Sequence, residues 1–251
     1  MTLLGRARSV LSSGGVRGLV SSGLAFLHHH PLVVRALARG RLAYYRTIGP
    51  YDALADPFAL ISVDPNEITM ANRSIDKYLS TGAVRGGEWD RRTNPYDESI
   101  KHRSVEQRYV DGKEWTETDV YEKLCRRIDE EGEADGCFSR TDLERRYERI
   151  DRLYESIRDD GYDPTKRYEG TDSRIASSLD QVCVSVGRDG ELVFCGGGNH
   201  RLSIAKVLEL DSIPVRVVVR HDRWQRRRDR IARGEETETS PHPDLRDVCS
   251  R

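Results

Sequence analysis

The sequence is short of several things at once. Aromatic residues make up 7% of its 251 residues, with 4 Phe and 2 Met, and six of its 41 basic residues are lysines. No apolar run approaches the roughly 20 residues of a membrane-spanning helix, because the longest weakly polar stretch, Gly18 to Leu27, is broken by Ser21, Ser22 and Gly23. The 5 cysteines, Cys125, Cys137, Cys183, Cys195 and Cys249, are odd in number and form no C-x-x-C. They support neither a disulfide framework nor a sequence-local zinc site, and a reducing cytoplasm is the expected compartment. With 37% hydrophobic residues, 21 Gly and 9 Pro, collagen-like, mucin-like and fully disordered chains are set aside. The length suits one large domain, or an ordinary domain with a long insertion.

Acidic residues are absent from the first 51 positions, where Arg6, Arg8, Arg17, Arg35, Arg39, Arg41 and Arg46 give +7. The remainder, with 34 basic and 42 acidic residues, carries -8, so the formal net charge of -1 conceals a basic arm on an acidic body. The arm, residues 1–51, mixes arginine with Leu24, Phe26, Leu27, Leu32, Val33, Val34, Leu37 and Leu42. It reads either as a helix packed on its own domain or as a weak, peripheral membrane-surface contact. A secretory signal is not expected, since no clean small-x-small cleavage site follows the apolar run. The three adjacent imidazoles of His28-His29-His30 cannot converge on one ion and read as solvated.

The body, residues 52–221, opens with a strand at Ala59 to Val63, stopped by Asp64-Pro65-Asn66. Residues 72–138 read as a helical insertion, with a helix from Tyr96 to Val110 and a capping box at Thr116 to Asp119. Trp89 and Trp115 read as lid-packing aromatics. A second box at Thr141-x-x-Glu144 starts a helix whose buried face is Leu143, Tyr147, Ile150, Tyr154 and Ile157, ending at Gly161. Val182 to Val186 and Leu192 to Phe194 flank an Asp-Gly turn, the pattern of a β-hairpin. Arg201 to Leu208 reads as helix. In the last strand Ile213, Val215, Val217 and Val219 alternate with Arg216 and Arg220. Residues 222–251 read as an exposed polar helix, with Arg226, Arg227 and Arg228 on a solvated face, and a tail disordered from Gly234.

The strongest chemical signal is a strand running into Gly196-Gly197-Gly198-Asn199-His200-Arg201 and then a helix. Glycines admit an anion close to the backbone, and the first N–H groups and dipole of the helix favour it, so phosphate is the natural guest. Arg201 offers a bidentate charge, and His200 offers a hydrogen bond or a proton. Alone, such a turn is often only a turn.

Its context is more specific. The segment from about Leu143 to Val219, with its Gly-Asn-His-Arg turn and the run Leu202 to Val217, resembles the N-terminal domain of ParB partition proteins and the wider ParB/sulfiredoxin superfamily, which includes free-serine kinases. The resemblance implies an α+β fold, a small mixed sheet with packed helices, here carrying the insertion. It implies that Gly198 and Arg201 end a turn that binds the phosphates of CTP, ATP or ADP, with Mg²⁺ bridging phosphate oxygens. His200-Arg201 matches the His-Arg of the sulfiredoxin motif, but Asn199 stands where sulfiredoxin has its catalytic cysteine and Gly197 where many relatives have Asp. Cys195 lies too early to replace that cysteine, so the repair reaction is not expected.

The expected function is an NTP-dependent phosphotransferase or NTPase acting on an unknown small-molecule acceptor. A carboxylate is then needed to orient or deprotonate the acceptor, and Glu67 is the candidate catalytic partner of His200, with Asp64, Asp172 and Arg174 behind it. No protein metal site is expected. The alternative is a non-catalytic, nucleotide-gated module binding DNA, membrane or protein. Only about 30 polar residues follow Val219, with no helix-turn-helix pattern, so sequence-specific DNA binding is not expected.

Overall fold

A computed structural model describes residues 30–165, 179–237 and 242–249, and places the chain in the α+β class. Its centre is β7 (Ile213–His221), nine residues rich in valine and able to pack on both sides. The hairpin strands β5 (Val182–Val186) and β6 (Leu192–Gly196) follow from β-branched runs on either side of the Asp189-Gly190 turn. β5 pairs in parallel with β7, while β1 (Leu60–Val63) pairs antiparallel with residues 213–216 and β3 (Ala83–Arg85) in parallel with residues 219–221. Beyond β6 the sheet continues through β2 (Met70–Ala71) and β4 (Asn94–Pro95), giving the order β1-β7-β5-β6-β2-β4.

The register of β7 shifts at its centre, where Val217 faces Val184 but Val219 faces Ser185. A bulge reverses side-chain alternation. Val215 and Val217 therefore join the main core while Val218 and Val219 join a smaller cluster with Cys183 and Cys195. Arg216 and Arg220, which alternate with the apolar residues in sequence, do not lie on a solvated face. Arg216 is fully buried and Arg220 nearly so.

The helical layer consists of α2 (Ile100–Tyr109), α3 (Asp119–Glu131) and α4 (Arg140–Asp160), preceded by α1 (Pro31–Thr47). Leu143, Tyr147, Ile150, Leu153 and Ile157 are the buried stripe of α4, with Leu153 replacing the expected Tyr154, which is stacked on Tyr109 at 3.7 Å. The cap of α4 is Ser139 rather than Thr141, its Oγ accepting from Asp142 N at 3.1 Å, and Gly161 ends the helix at φ +81°. The box before α3 is likewise earlier, at Glu114 and Glu117, and Thr118 holds the N-cap position with its hydroxyl donating to Trp115 O at 2.7 Å rather than capping the helix. α5 (Asn199–Val207) lies between sheet and helices: Leu202 and Ala205 join the sheet core, Ile204 the helical core.

Residues 72–138 are not helices alone, because β3 and β4 lie inside them and complete the sheet. Tyr96, expected to open a helix, follows an extended segment paired to β2 and is fully buried. The C-terminal part is corrected too. In α6 (Asp222–Ala232), Trp224, Gln225, Arg228 and Asp229 are buried, and a turn at Pro243–Leu245 with α7 (Arg246–Cys249) closes over them. Arg228 is fully buried against Asp244 and Asp247 while Arg226 stays exposed, so the basic triplet is only in part a solvated face, and residues 242–249 are not a disordered tail. His30 caps α1 through its ring, while His28 and His29 lie outside the described residues. Among the described residues no helix is long and apolar enough to cross a membrane.

Candidate functional site

β6 ends and α5 begins through three consecutive glycines at positive φ: Gly196 at +121°, Gly197 at +71° and Gly198 at +56°. Glycine is required twice over, because a Cβ on Gly197 would sit 2.4 Å from Gln181 O, and one on Gly198 would sit 2.8 Å from Val182 Cγ2. The turn is thus pressed onto β5 and aims the start of α5 outward. That start has no side-chain cap and no acidic residue in its first turn, leaving its leading N–H groups and positive dipole end for an outside acceptor.

Two adjoining cavities meet at this turn, of about 490 Å³ and 400 Å³, sharing Lys77, Lys101, Gly197 and Asn199 in their walls. The larger adds Arg146 and Arg149 from α4, Asp180, His200 and Arg201; the smaller adds Arg73, Asp76, Tyr78, Phe194 and Gly196. Lys77 brings its ammonium to 3.4 Å from the position of a Cβ on Gly197 and lies 4.9 Å over the Tyr78 ring. Among the described residues neither Lys77 nor Arg149 has a carboxylate within ion-pair distance. Lys101 is held by Asp135 at 2.5 Å, and Arg146 reaches the same carboxylate at 3.9 Å. Burial pushes the Asp135 carboxyl up, but Lys101 and Arg146 outweigh it and hold it below its usual range.

Behind the turn stands Arg216, fully buried, donating to Thr81 Oγ1 at 2.9 Å and Cys183 Sγ at 3.2 Å, with Nε unpartnered. No carboxylate neutralises it among the described residues. The thiol of Cys195, in the wall of the smaller cavity, is pushed up to about 12, by burial first and by Cys183 next, and stays protonated.

Of the residues predicted from sequence, Gly196 to Arg201 all line this double cavity. Asn199 is fixed by Tyr96, whose hydroxyl donates to Asn199 Oδ1 at 2.8 Å. His200 is pushed down to about 3, by burial first and then by Arg146 and Lys101, so it is a neutral imidazole at physiological pH. Arg201 is not a free phosphate ligand: its guanidinium donates to Asp180 O and pairs with the Asp180 carboxylate at 3.2 Å. Glu67 is not brought to the site. It lies exposed in the 3-10 turn Pro65–Glu67 and lines neither cavity, and Asp64 beside it caps that turn by accepting from Asn66 N at 2.7 Å. Asp172 and Arg174 fall outside the described residues. Trp89 and Trp115 line neither cavity, and Trp115 stacks on Tyr147 at 4.5 Å as packing.

Sequence reasoning missed Lys77, Lys101, Arg146 and Arg149. The available signals were faint: two of only six lysines, and two arginines three apart beside the apolar stripe of α4. No protein-family model, curated protein or solved structure matches the chain. The class defined by fold and site is therefore an α+β protein with a cationic pocket at a glycine-framed helix start.

Proposed function

We propose that the double cavity binds the phosphates of a nucleotide, and that the chain is a divergent ParB/sulfiredoxin-like domain. The observation that carries this reading is the uncapped start of α5 behind three positive-φ glycines, flanked by Lys77 and Arg149, which have no carboxylate partner among the described residues. Backbone N–H groups and a dipole end suit an anion, and the added cations suit one of several charges. Cavities of this size fall in the range of small-molecule sites, about 300–1,000 Å³.

Phosphotransfer to a small-molecule acceptor is supported by the second cavity, which shares Lys77 and Lys101 with the first. Such chemistry rests on positioning and electrostatic stabilisation more than on covalent participation. Neutral His200 serves as a hydrogen-bonding group; with its pKa near 3 it is a weak base. Glu67, exposed and in the wall of neither cavity, takes no part in this reading. Among the described residues no group of three or more His, Cys, Asp or Glu could hold a metal ion. Mg²⁺ would be carried on the phosphate oxygens of the nucleotide.

Calorimetric titration with ATP, CTP and ADP, each with Mg²⁺, tests the reading. Wild type is expected to bind at least one of them, and Lys77→Ala and Arg149→Ala each to weaken that binding about tenfold or more. Glu67→Gln should leave it unchanged. Folded wild type that binds none of the three, or unchanged affinity in both variants, would overturn the assignment. Binding without release or transfer of phosphate would favour a nucleotide-gated switch over an enzyme.

A further inference from the structure

Helix α1 belongs to the acid-free arm and is docked by one side only. Val34 and Ala38 are buried, and Arg41 donates to Thr81 O at 2.6 Å and Leu79 O at 2.9 Å. The opposite side stays apolar in solvent: Leu32 is 56%, Leu37 45%, Tyr44 55% and Ile48 75% exposed. At 3.6 residues per turn Leu32, Leu37 and Tyr44, with exposed Ala36, Gly40, Ala43 and Thr47 between them, form one continuous sector, and Ile48 follows it at the C-cap. Arg39 and Arg46, seven residues apart, share its flank, and neither has a carboxylate partner among the described residues. With Arg35 they border a hollow of about 390 Å³ in which Asp56 is the single acid.

We propose that α1 seats the protein on an anionic lipid surface. The apolar sector enters the boundary between headgroups and acyl chains, and the arginine flank takes lipid phosphates in the hollow. A bilayer bearing acidic headgroups meets both requirements at once: apolar depth beneath the sector and negative charge beside it. The helix would lie in the plane of the interface, its axis held by Val34, Ala38 and Arg41 against the body. This seat is independent of the nucleotide reading, since none of its residues lines the double cavity.

The test is co-sedimentation of the full chain with vesicles of phosphatidylcholine alone or with phosphatidylglycerol at about 7:3, at low and high salt. Binding is expected to the mixed vesicles, to fall with salt, and to weaken tenfold or more in Leu37→Ser/Ile48→Ser and about fivefold per residue in Arg39→Gln/Arg46→Gln. Lys77→Ala/Arg149→Ala should bind vesicles as wild type does. All four substituted positions, 37, 39, 46 and 48, are exposed, and an unchanged thermal melt checks that the variants fold. Equal binding to uncharged vesicles, or binding undiminished by either α1 variant, would overturn the proposal. So would a dimer in sedimentation velocity that Leu37→Ser/Ile48→Ser dissolves, which would assign the face to a second copy of this chain.

Discussion

At the scale of single residues, the turn before α5 shows how little of a site resides in its motif. Gly197 and Gly198 are irreplaceable because backbone and Val182 occupy the space of a Cβ, whereas Arg201, the charged member of the motif, is held by Asp180. The charge facing the cavity comes instead from side chains distant in sequence. His200 carries a prediction of its own. Its pKa falls from 6.5 to about 3 on folding, so below 6.5 the unfolded chain takes up a proton that the folded chain refuses. Stability should therefore drop as pH falls from about 6.5 towards 3, with a slope approaching 1.4 kcal/mol per pH unit from this residue. Urea midpoints at pH 7, 6, 5 and 4.5 should fall less steeply for His200→Gln than for wild type. Parallel profiles would mean that His200 titrates normally.

Among elements, β7 and α6 are joined by charges that neither could bury alone. Asp244 is 1% exposed and accepts from Arg220 Nη2 at 2.5 Å and Trp224 Nε1 at 2.9 Å, with Arg228 at 3.4 Å. Burial pushes its carboxyl up, but Arg220 and Arg228 outweigh that and hold it below the usual range. Removing one partner of a buried pair leaves the other uncompensated, so Asp244→Ala should cost about 3–5 kcal/mol in denaturant unfolding. A loss within 1 kcal/mol would show that the C-terminal turn is dispensable. The bulge in β7 explains the arrangement: one extra residue turns Arg220 towards this core and leaves Arg216 beneath the glycine turn.

For the whole molecule, a formal charge of -1 says nothing of where the charges sit. Lys77 and Arg149 line one cavity and buried Arg216 stands behind its glycine turn, none with a carboxylate partner among the described residues, and a bound polyanion would relieve their repulsion. Thermal stability should therefore rise along the series phosphate, pyrophosphate, tripolyphosphate. At 100 times the dissociation constant the gain is about 2.7 kcal/mol, or about 5–10 °C in Tm, shrinking with added salt. Equal effects of all three anions, or of chloride, would mean that the cavity does not count charge.

Local order along the chain was readable from the amino acids alone. The stripe on α4, the Asp-Gly hairpin, the valine-rich last strand and the glycine turn are all set by period, turn chemistry and backbone freedom within a few residues. What the fold decided are facts of long range. Lys77, Lys101, Arg146 and Arg149 meet at one cavity although up to 72 positions apart, Glu67 is left outside it, and short β3 and β4 join the sheet from within a polar segment. The physical reason is that two-residue and three-residue strands carry no periodicity, and a charged side chain has no preferred neighbour until packing brings one near. The residues that shape the pocket are local; those that charge it are tertiary.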